Sequence, residues 1–365
     1  MGRTALARTG APCPTARRLL TLATAGLLAI LTACGTGPGT GPSGGVKDAG
    51  QPLKLGLSMP ALDTPFFSVL VADATAAAQA ARGSVVQTTN ANRDSGQQVT
   101  DFRNLITAGA NAIIAGVVDT KAIKPALDYA KSQGVPVVIV DDQPTAGDVY
   151  AVVKADNVKM GNMAADKLGQ LLPHGGKVLQ ITGDPSTSNG RDRQSGFEET
   201  IKAKYPNITI ISQNGKWDGP TSGNIMNAVL SQNPDLAGVY IASDTLYFDP
   251  VSAALNGRGR LLPAGQNGHV VITGIDGGVS ALKAIADGDL DATVSQPVDA
   301  YAKYGVQYLL DARSGKQIAA GPTDHNSTAV RSSAYLVDKL PAPLVTKDNV
   351  TDPSLWGNKA GAPRK

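Results

Sequence analysis

The sequence predicts an α/β fold with two doubly wound, parallel-sheet lobes that are joined by several chain crossings acting as a hinge. From Leu53 to Asp141, short apolar runs alternate with helical stretches at a period of roughly thirty residues. The alternation starts again at Lys177. The apolar runs are continuous, which is typical of parallel strands covered on both faces. The cleft between the lobes is therefore the expected ligand site.

The first half of this pattern contains four predicted strands and three predicted helices. The strands are Leu53–Met59, Val85–Thr88, Ala112–Val118 and Val135–Val140, and the helices are Phe66–Arg82, Gly96–Ala108 and Lys121–Gln133. A glycine stands where each helix should end, at positions 83, 109 and 134.

The second half repeats the design and sets the domain boundaries. The predicted strands are Lys177–Thr182, Ile208–Ser212, Gly238–Ala242 and Val270–Ile275, and the helices are Arg191–Lys204, Thr221–Gln232 and Val279–Asp287. One more helix, Val298–Arg313, is expected to return to the first half. We expect crossings at Asp156-Asn157 and near Gln296-Pro297. The expected domains are residues 53–155 plus 297–325 as an N-terminal lobe, 156–296 plus 326–339 as a C-terminal lobe, and 340–365 as a proline-rich tail over the surface.

Residues 1–33 have the pattern of an export signal. Four arginines and no acidic residue precede an apolar run, Leu19 to Leu31, which is shorter than the ~20 residues that span a bilayer. The run ends in Leu31-Thr32-Ala33-Cys34, which resembles a bacterial lipoprotein box and implies lipid attachment at Cys34. The alternative is an ordinary signal peptide with a chance cysteine. Residues 34–52, rich in Gly, Pro, Ser and Thr, are expected to be a flexible tether.

Composition excludes several function classes. The chain has two cysteines; Cys13 would leave with the signal and Cys34 would carry lipid, so no disulfide is expected. The net charge is +3, but four of the 33 basic residues lie in the signal, which leaves 29 basic against 30 acidic residues. A nearly neutral body gives no case for nucleic-acid binding.

The sequence lacks the common catalytic motifs. It has no Gly-x-x-x-x-Gly-Lys-Ser/Thr loop, and no Gly-x-Gly-x-x-Gly or Gly-x-Ser-x-Gly follows a predicted strand. The three histidines at positions 174, 269 and 325 are too scattered for a helical zinc motif. Asp141-Asp142 at a strand end fits hydrogen bonding better than a glycosidase acid/base pair. We therefore expect a binding protein with no cofactor or metal.

The turn Asp63-Thr64-Pro65-Phe66-Phe67 joins the first strand to the first helix, where α/β proteins place ligands. Two adjacent phenylalanines are notable because only 4% of the chain is aromatic. They predict a flat apolar wall against which a small ligand lies. The alternative is that one ring only fixes the helix to the core.

Seven motifs at predicted strand ends and helix starts resemble one family, in that family's order. They are Thr64-Pro65-Phe66-Phe67, Val140-Asp141-Asp142-Gln143 with Ala155-Asp156-Asn157 downstream, Arg191-Asp192-Arg193-Gln194-Ser195-Gly196-Phe197, Trp217-Asp218, Ala242-Ser243-Asp244, Gly274-Ile275-Asp276-Gly277 and Val294-Ser295-Gln296-Pro297. From Leu53 to about Leu340 the chain resembles the ribose-type periplasmic sugar-binding proteins, the solute receptors of ABC importers. This resemblance implies two Rossmann-like lobes, the type I periplasmic binding protein fold.

The resemblance also implies a set of ligand-binding residues. They are Thr64, Phe66, Phe67, Asp141, Asp142, Arg191, Trp217, Ser243, Asp276 and Gln296. Aromatic rings from both lobes would sandwich the C–H faces of a sugar, and the charged and amide groups would bond its hydroxyls. The alternative interpretation of Trp217 is a residue of the second-lobe core. The alternative for Asp276 is a helix N-cap. The alternative for Arg191 is an exposed charge on the helix surface. We expect its neighbour Arg193 to be such a surface charge.

Two positions depart from the ribose pattern, since Asp142 replaces an arginine and Ser243 an asparagine. An ionised aspartate can only accept hydrogen bonds, so a sugar ring oxygen is not expected to face Asp142. The adjacent carboxylates at 141 and 142 favour a polyol, a differently oriented sugar or an amino sugar, and make D-ribose doubtful.

The implied function is an extracytoplasmic receptor, anchored to the cell membrane through Cys34, that delivers a monosaccharide or polyol to an ABC permease. It is expected to act as a monomer. A sugar-responsive repressor would need an N-terminal helix-turn-helix where this chain has the export signal. A receptor that presents its ligand to a membrane kinase, and one for an autoinducer or nucleoside, stay open as alternatives.

Overall fold

The computed structural model describes residues 50–332 and 335–361. The strands are β1 (Lys54–Met59), β2 (Ser84–Asn90), β3 (Ala112–Ala115), β4 (Val137–Val140), β5 (Ala151–Ala155), β6 (Gly176–Thr182), β7 (Ile208–Asn214), β8 (Gly238–Ile241), β9 (Val271–Asp276), β10 (Ala292–Ser295), β11 (Gly321–Pro322), β12 (Thr328–Ser332), β13 (Tyr335–Leu340) and β14 (Leu344–Val345). The helices are α1 (Pro65–Ala80), α2 (Ser95–Thr107), α3 (Lys124–Ser132), α4 (Asn157–Leu171), α5 (Ser188–Lys204), α6 (Gly219–Gln232), α7 (Asp244–Asn256), α8 (Val279–Asp287), α9 (Val298–Arg313) and α10 (Trp356–Gly361).

Two sheets organise these elements into two lobes. The first sheet has the order β11-β12-β13-β5-β4-β3-β1-β2, and the second has the order β14-β10-β9-β8-β6-β7. Within each sheet, five parallel strands follow the same doubly wound order, 2-1-3-4-5. Beyond the fifth strand, the first sheet adds parallel β13 followed by antiparallel β12, and the second sheet adds antiparallel β14. The fold class predicted from the sequence is therefore confirmed.

Both sheets direct the carboxyl ends of their parallel strands toward the region between the lobes. In this strand order the connections change direction next to the first strand of each sheet, between β1 and β3 and between β6 and β8. A crevice forms at such a switch point because neighbouring connections leave to opposite sides of the sheet. The fold thus places one crevice in each lobe, and the two crevices form one site.

Within residues 50–332 and 335–361, the chain crosses between the lobes three times. It passes from β5 into α4, from β10 into α9, and from β13 into β14. The first two crossings lie where the sequence indicated them, and the third was not predicted. Three crossings at one side of the cleft form the hinge.

The assignment of residues 326–339 to the second lobe is wrong. Strands β12 and β13 form a hairpin, and β13 pairs in parallel with β5 in the first sheet. The exposed edge of β5 accepts this strand, whose residues Tyr335 to Asp338 are buried. The hairpin completes the first lobe because it covers an edge that would otherwise leave backbone groups unpaired.

The tail was expected to pack over the surface without a core of its own, and the structure shows that part of it joins the second lobe. Strand β14 pairs with β10 at the edge of the second sheet, and α10 packs against α8. Val345, Val350 and Leu355 are buried, and Trp356 is only 2% exposed. This proline-rich segment contains a few large apolar residues, and they pack into the core of the second lobe.

Among the described residues, buried apolar side chains form two clusters. The smaller one lies on one face of the first sheet, with Phe102 and Leu127 from helices α2 and α3. The larger one continues from Phe66 and Tyr301, on α1 and α9, through the second lobe to Trp356. The core is therefore continuous across the hinge.

Three predictions concern residues outside the part of the chain that the structure describes: the export signal at 1–33, the lipid attachment at Cys34 and most of the tether at 34–52. Among the described helices, none combines the length and the apolar character needed to cross a bilayer.

Candidate functional site

A cavity of ≈ 400 Å³ lies between the lobes, at the carboxyl ends of the parallel strands. It is within the size range of small-molecule sites in proteins. Nine of the ten predicted binding residues line it: Thr64, Phe66, Phe67, Asp141, Asp142, Trp217, Ser243, Asp276 and Gln296. Arg191 is the exception. The loops after β1 and β4 supply the first-lobe residues, and strands β7 to β10 lead into those of the second lobe.

The two phenylalanines have different positions. Phe66 is buried and makes perpendicular ring contacts with Phe67 and Tyr301, at centroid distances of 5.0 and 6.1 Å. Phe67 is partly exposed and lies close to Gly116, where an added Cβ would come within 3.0 Å of the ring. Phe66 thus packs into the core and supports Phe67, which presents the open ring surface.

Trp217 forms the opposite aromatic wall. It is partly exposed, stacks on Tyr247 at a centroid distance of 6.3 Å, and donates from Nε1 to Thr187 Oγ1 at 3.2 Å. The indole lies directly on the backbone at Gly183, where an added Cβ would stand 2.1 Å from the ring. A glycine at this position therefore allows the ring to lie in the cavity wall.

Arg193, rather than Arg191, is the arginine of the site. Helix α5 begins at Ser188, three residues before the predicted start, and its buried face carries Asn189, Arg193 and Phe197 at a spacing of four. Arg191 is exposed and donates from Nη1 to the carbonyl oxygen of Pro185 at 2.5 Å. The prediction of Arg191 was wrong because it fixed the motif without fixing the rotation of the helix.

The guanidinium of Arg193 is held on three sides. Nε donates to Asn157 at 2.7 Å, and Nη1 donates to the carbonyl oxygen of Ala242 at 2.6 Å and to Asp276 at 3.0 Å. Among the described residues, none accepts a hydrogen bond from Nη2. Burial works against the charge, but the carboxylates of Asp276 and Asp141 raise the pKa of Arg193 above its ordinary value. Arg193 is therefore a fixed cation with one free donor group.

Asp276 accepts hydrogen bonds at both carboxylate oxygens. Oδ1 accepts from Arg193 at 3.0 Å and from Gln296 at 3.1 Å. Oδ2 accepts from Ser243 at 2.5 Å and from Thr245 at 2.8 Å. Four donors on one buried carboxylate satisfy its lone pairs, so Asp276 orients the groups around it. Ser243 and Gln296 reach the cavity as parts of this network.

Asp141 is bonded less completely. Its Oδ1 accepts from Asn189 at 3.0 Å and, at 3.5 Å, from Gln296, while Oδ2 has no partner among the described residues. Burial raises the pKa of Asp141 to about 7, and the Arg193 guanidinium only partly offsets this effect. The carboxylates of Asp142 and Asp276 raise it further. Asp141 therefore has an open acceptor whose charge changes near neutral pH.

Asp142 joins the two lobes. Its Oδ1 accepts from the backbone N–H of Ser188 at 2.9 Å and from the Ser188 hydroxyl. Lys154 of the first lobe donates to the same hydroxyl at 2.7 Å and to Asp192 at 3.1 Å. The Asp142 carboxylate thus meets the first turn of α5, where unpaired N–H groups favour a negative charge.

Strained backbone is concentrated at this cavity. Eight described residues other than glycine have positive φ, and five of them line it: Arg93, Asp141, Lys216, Trp217 and Asp276. Such conformations cost about 1–3 kcal/mol each and persist where the surrounding structure holds them. Their clustering marks the cavity as a functional region.

Sequence reasoning missed several residues of the cavity. Asn189 and Thr187 precede the predicted start of α5, and Thr245 follows a predicted motif by one residue. The signal for Arg193 was available, because Phe197 is the apolar residue one turn later on the same helix face. Within the described ranges, no cluster of three or more His, Cys, Asp or Glu side chains could hold a metal ion.

Comparison with known proteins identifies relatives that match most of the chain. The family model for a periplasmic binding protein domain matches residues 55–317. The ribose import binding protein RbsB of Bacillus subtilis is 31% identical over 291 residues, which cover 80% of this chain and 92% of that protein. The D-ribose/D-allose-binding protein of Pseudomonas aeruginosa is 27% identical over 230 residues, which cover 61% of this chain and 69% of that protein.

A solved structure agrees with these matches. An ABC transporter solute binding protein from Mycobacterium smegmatis, with bound glycerol, superposes with a TM-score of 0.71 and 29% sequence identity. The match covers 82% of this chain and 96% of that chain. The likeness therefore extends over both lobes.

Proposed function

The chain belongs to the periplasmic binding protein family, as the seven motifs indicated, and from this premise we propose that it is an extracytoplasmic receptor for a monosaccharide or polyol. Members of this family are solute-binding proteins rather than enzymes. One observation carries the proposal: a single cavity between the lobes brings aromatic faces together with unpaired hydrogen-bonding groups. A small polyhydroxylated ligand needs this combination.

Phe67 and Trp217 hold the apolar faces of the ligand. Sugars and cyclitols carry C–H groups on their ring faces, and these pack on aromatic rings. Arg193 Nη2 donates to one ligand oxygen, and Asp141 Oδ2 accepts from a hydroxyl. A ligand that lacks a hydroxyl at the matching position leaves a buried charged group unpaired, which gives the site its selectivity.

Closure of the lobes completes the site. In addition to the contact of Asp142 with Ser188, the first-lobe Thr120 hydroxyl donates to the carbonyl oxygen of Ser186 at 3.0 Å. Asn189 bonds Asp141 across the same gap. A ligand that touches both faces stabilises this arrangement over one in which the lobes are apart, because its contacts differ between the two states.

We infer that Asp142 has a second role beside ligand selection. Its Oδ1 is occupied by the first turn of α5, so the replacement of an arginine changes the contact between the lobes as well as the cavity wall. D-Ribose therefore stays among the candidate ligands that we would test, together with hexoses, cyclitols and alditols.

Delivery to an ABC import permease is the expected fate of the ligand, since the relatives include ribose import binding proteins. Attachment of diacylglycerol to Cys34, followed by the tether, would keep the receptor near that permease. Two acyl chains on one cysteine are enough for stable membrane anchoring. The receptor would act as a monomer, because each chain contains both halves of the site.

The alternative function is ligand presentation to a membrane receptor or kinase. Capture and closure would be the same, and only the protein that binds the closed lobes would differ. Uptake of labelled ligand by cells with and without the gene separates the two functions, because only an importer receptor changes the uptake.

Isothermal titration calorimetry tests the proposal. The panel contains D-ribose, D-allose, D-glucose, myo-inositol and glycerol, together with one nucleoside as a control for a different ligand class. We expect one-to-one binding of at least one sugar or polyol at micromolar affinity, about −8 kcal/mol. Binding of the nucleoside alone, or no binding across the sugars and polyols, contradicts the proposal.

A further inference from the structure

The C-terminal segment, residues 341–361, reaches the back of the cavity although no lining residue comes from it. Strand β14 and helix α10 attach it to the second lobe. Trp356 is among the largest fully buried side chains of the described protein. The indole lies behind two residues of the candidate site, and its contacts with them define its role.

The first contact is with the backbone of Asp276. Trp356 Nε1 donates to the carbonyl oxygen of Asp276 at 2.6 Å. Asp276 has φ = 122°, a conformation that residues other than glycine rarely adopt. The backbone N–H of Gln296 donates to the same oxygen at 2.9 Å, so the indole N–H is one of two donors that hold this carbonyl in an otherwise unfavourable backbone conformation. The side chain of the same residue orients Arg193.

The second contact is with the aromatic wall of the other lobe. The Trp356 ring meets Phe66 at a centroid distance of 6.1 Å and an interplanar angle of 90°. Phe66 in turn supports Phe67 through a perpendicular contact at 5.0 Å. Edge-to-face contacts of this kind are favourable and fix ring orientation. One indole thus touches both faces of the cleft from behind.

Gly357 permits this close approach. An added Cβ at this position would stand 2.5 Å from the carbonyl oxygen of Gly277 and 3.0 Å from the carbonyl carbon of Gly278. Both neighbours are backbone atoms of the loop that follows Asp276, so they cannot move aside without shifting the loop. Lys359 also pairs with Asp299, at the start of α9, at 2.7 Å. The segment is therefore seated against the hinge side of both lobes.

We propose that Trp356 is a positioning residue for the ligand site, which holds Asp276 and the phenylalanine pair in the arrangement that binds ligand. The inference rests on the proposed function, since it concerns the affinity of the same cavity. A purely structural role would predict that changes at Trp356 lower stability and leave affinity unchanged in the folded protein. A positioning role predicts loss of affinity beyond any loss of stability.

Four variants separate these roles. Trp356→Phe keeps a ring against Phe66 and removes the N–H to Asp276. Trp356→Ala removes both contacts, and Gly357→Ala pushes the helix away from the loop while keeping the indole. Val350→Ala is the matched control, because Val350 is a buried apolar residue of the same segment. Each variant is measured by thermal melting, and by calorimetry with the tightest ligand from the panel of D-ribose, D-allose, D-glucose, myo-inositol and glycerol.

We expect Trp356→Phe to weaken binding up to about tenfold, the effect of one lost hydrogen bond, and Trp356→Ala and Gly357→Ala to weaken it further. Val350→Ala should lower the melting temperature and leave affinity within about twofold of wild type. Wild-type affinity in Trp356→Phe and Trp356→Ala overturns the proposal. Equal loss of affinity in Val350→Ala also overturns it, because the effect would then follow stability alone.

Amide hydrogen exchange without ligand makes the test independent of the proposed function. Trp356→Ala should speed exchange in peptides that cover residues 274–279 and 64–70, and Val350→Ala should not. If no ligand of the panel binds the wild type, the proposed function fails, and this exchange comparison alone decides the positioning role. Unchanged exchange in both peptides overturns it.

Discussion

The two faces of the cleft are built differently. On the second lobe, Arg193 and Asp276 belong to a hydrogen-bond network in which each carboxylate oxygen of Asp276 has two donors. On the first lobe, Phe67 presents an open ring, and Asp141 has one carboxylate oxygen without a partner among the described residues. The second face is therefore preorganised and leaves Arg193 Nη2 as a donor for the ligand, whereas the first face offers an open ring and an open acceptor.

This difference suggests how the work of recognition is divided. A preorganised face loses little conformational freedom when it binds, so the second lobe is suited to hold the ligand first. The first lobe then adds an apolar surface and an acceptor whose pKa lies near neutrality. Variants of the second face should therefore have large effects that are independent of pH, and variants of the first face should have smaller effects that depend on it.

The largest effect is expected from Arg193→Lys. Lysine keeps the positive charge beside Asp276 but cannot reproduce the planar set of donors to Asn157, Ala242 and the ligand. We expect about a hundredfold loss of affinity in calorimetry, corresponding to roughly one or two charge-assisted hydrogen bonds. Lysine is preferred to alanine because alanine would leave the Asp276 carboxylate buried without its cation.

Arg191→Lys is the matched control for this change. It makes the same substitution two residues earlier on the same helix, at an exposed side chain. Affinity should equal that of the wild type. If Arg191→Lys weakens binding and Arg193→Lys does not, the second face has been assigned to the wrong residue.

The next largest effect is expected at the aromatic wall. Trp217→Ala removes the ring that faces the ligand and should weaken binding about tenfold. Gly183→Ala keeps the indole but displaces it, since the new Cβ would overlap the ring. Both variants should lose affinity in calorimetry. Full affinity in Gly183→Ala would show that the ligand does not lie against this ring.

A smaller, pH-dependent effect is expected on the first face. With a pKa of about 7, Asp141 is mostly protonated at pH 6 and ionised at pH 8, so its open oxygen accepts hydrogen bonds better at the higher pH. Affinity should rise between these values by less than tenfold per pH unit. Asp141→Asn should remove the slope. A slope that survives in Asp141→Asn assigns the titration to another group.

The same pKa has the opposite effect on the stability of the ligand-free protein. The folded pKa of Asp141 lies above the ordinary value near 3.9, so the folded state holds its proton over a range in which the unfolded state releases it. The contribution of Asp141 to stability is therefore complete at low pH and is lost as pH rises toward 7. Buried Asp244, whose pKa burial also raises to about 7, contributes in the same direction. Thermal melts of Asp141→Asn and Asp244→Asn separate the two contributions.

The smallest effect is expected far from the cleft. His269 pairs with Asp291 at 3.0 Å, and this hydrogen bond raises the pKa of His269. Its stabilising effect is complete below the unfolded pKa near 6.5 and is lost as pH rises through the higher folded value. His269→Asn should lower the free energy of unfolding more below pH 6 than at higher pH, measured by denaturant unfolding, and should leave ligand affinity unchanged.

The sequence was sufficient to predict features that depend on local patterns. Apolar runs and terminal glycines located most strands and helices, because these signals lie within a few residues of the element they define. Residues at strand ends were located for a related reason. In a parallel sheet every carboxyl end faces the same edge, so Ser243 and Asp276 were brought together by the topology of the second sheet. Asp141 lies at the same edge of the first sheet, and it joins them because the two sheets face one cavity.

The errors concern features that local patterns cannot define. Arg191 and Arg193 are two residues apart, which is about 200° around a helix, so the choice between them depends on helix rotation. The β12–β13 hairpin pairs with β5 from about 180 residues away, and several edges could have accepted it. Trp356 contacts Asp276 across 80 residues, and its polar surroundings in the sequence give no sign of burial.

Amide hydrogen exchange with and without ligand tests most directly whether both faces of the cleft bind the same ligand molecule. The ligand is the tightest binder of the sugar and polyol panel, added at saturation. We expect slower exchange together in peptides that cover Asp141 and Asp142 of the first lobe and in peptides that cover Ser188 to Arg193 of the second. Protection confined to one lobe would contradict the shared site, however tightly that ligand binds.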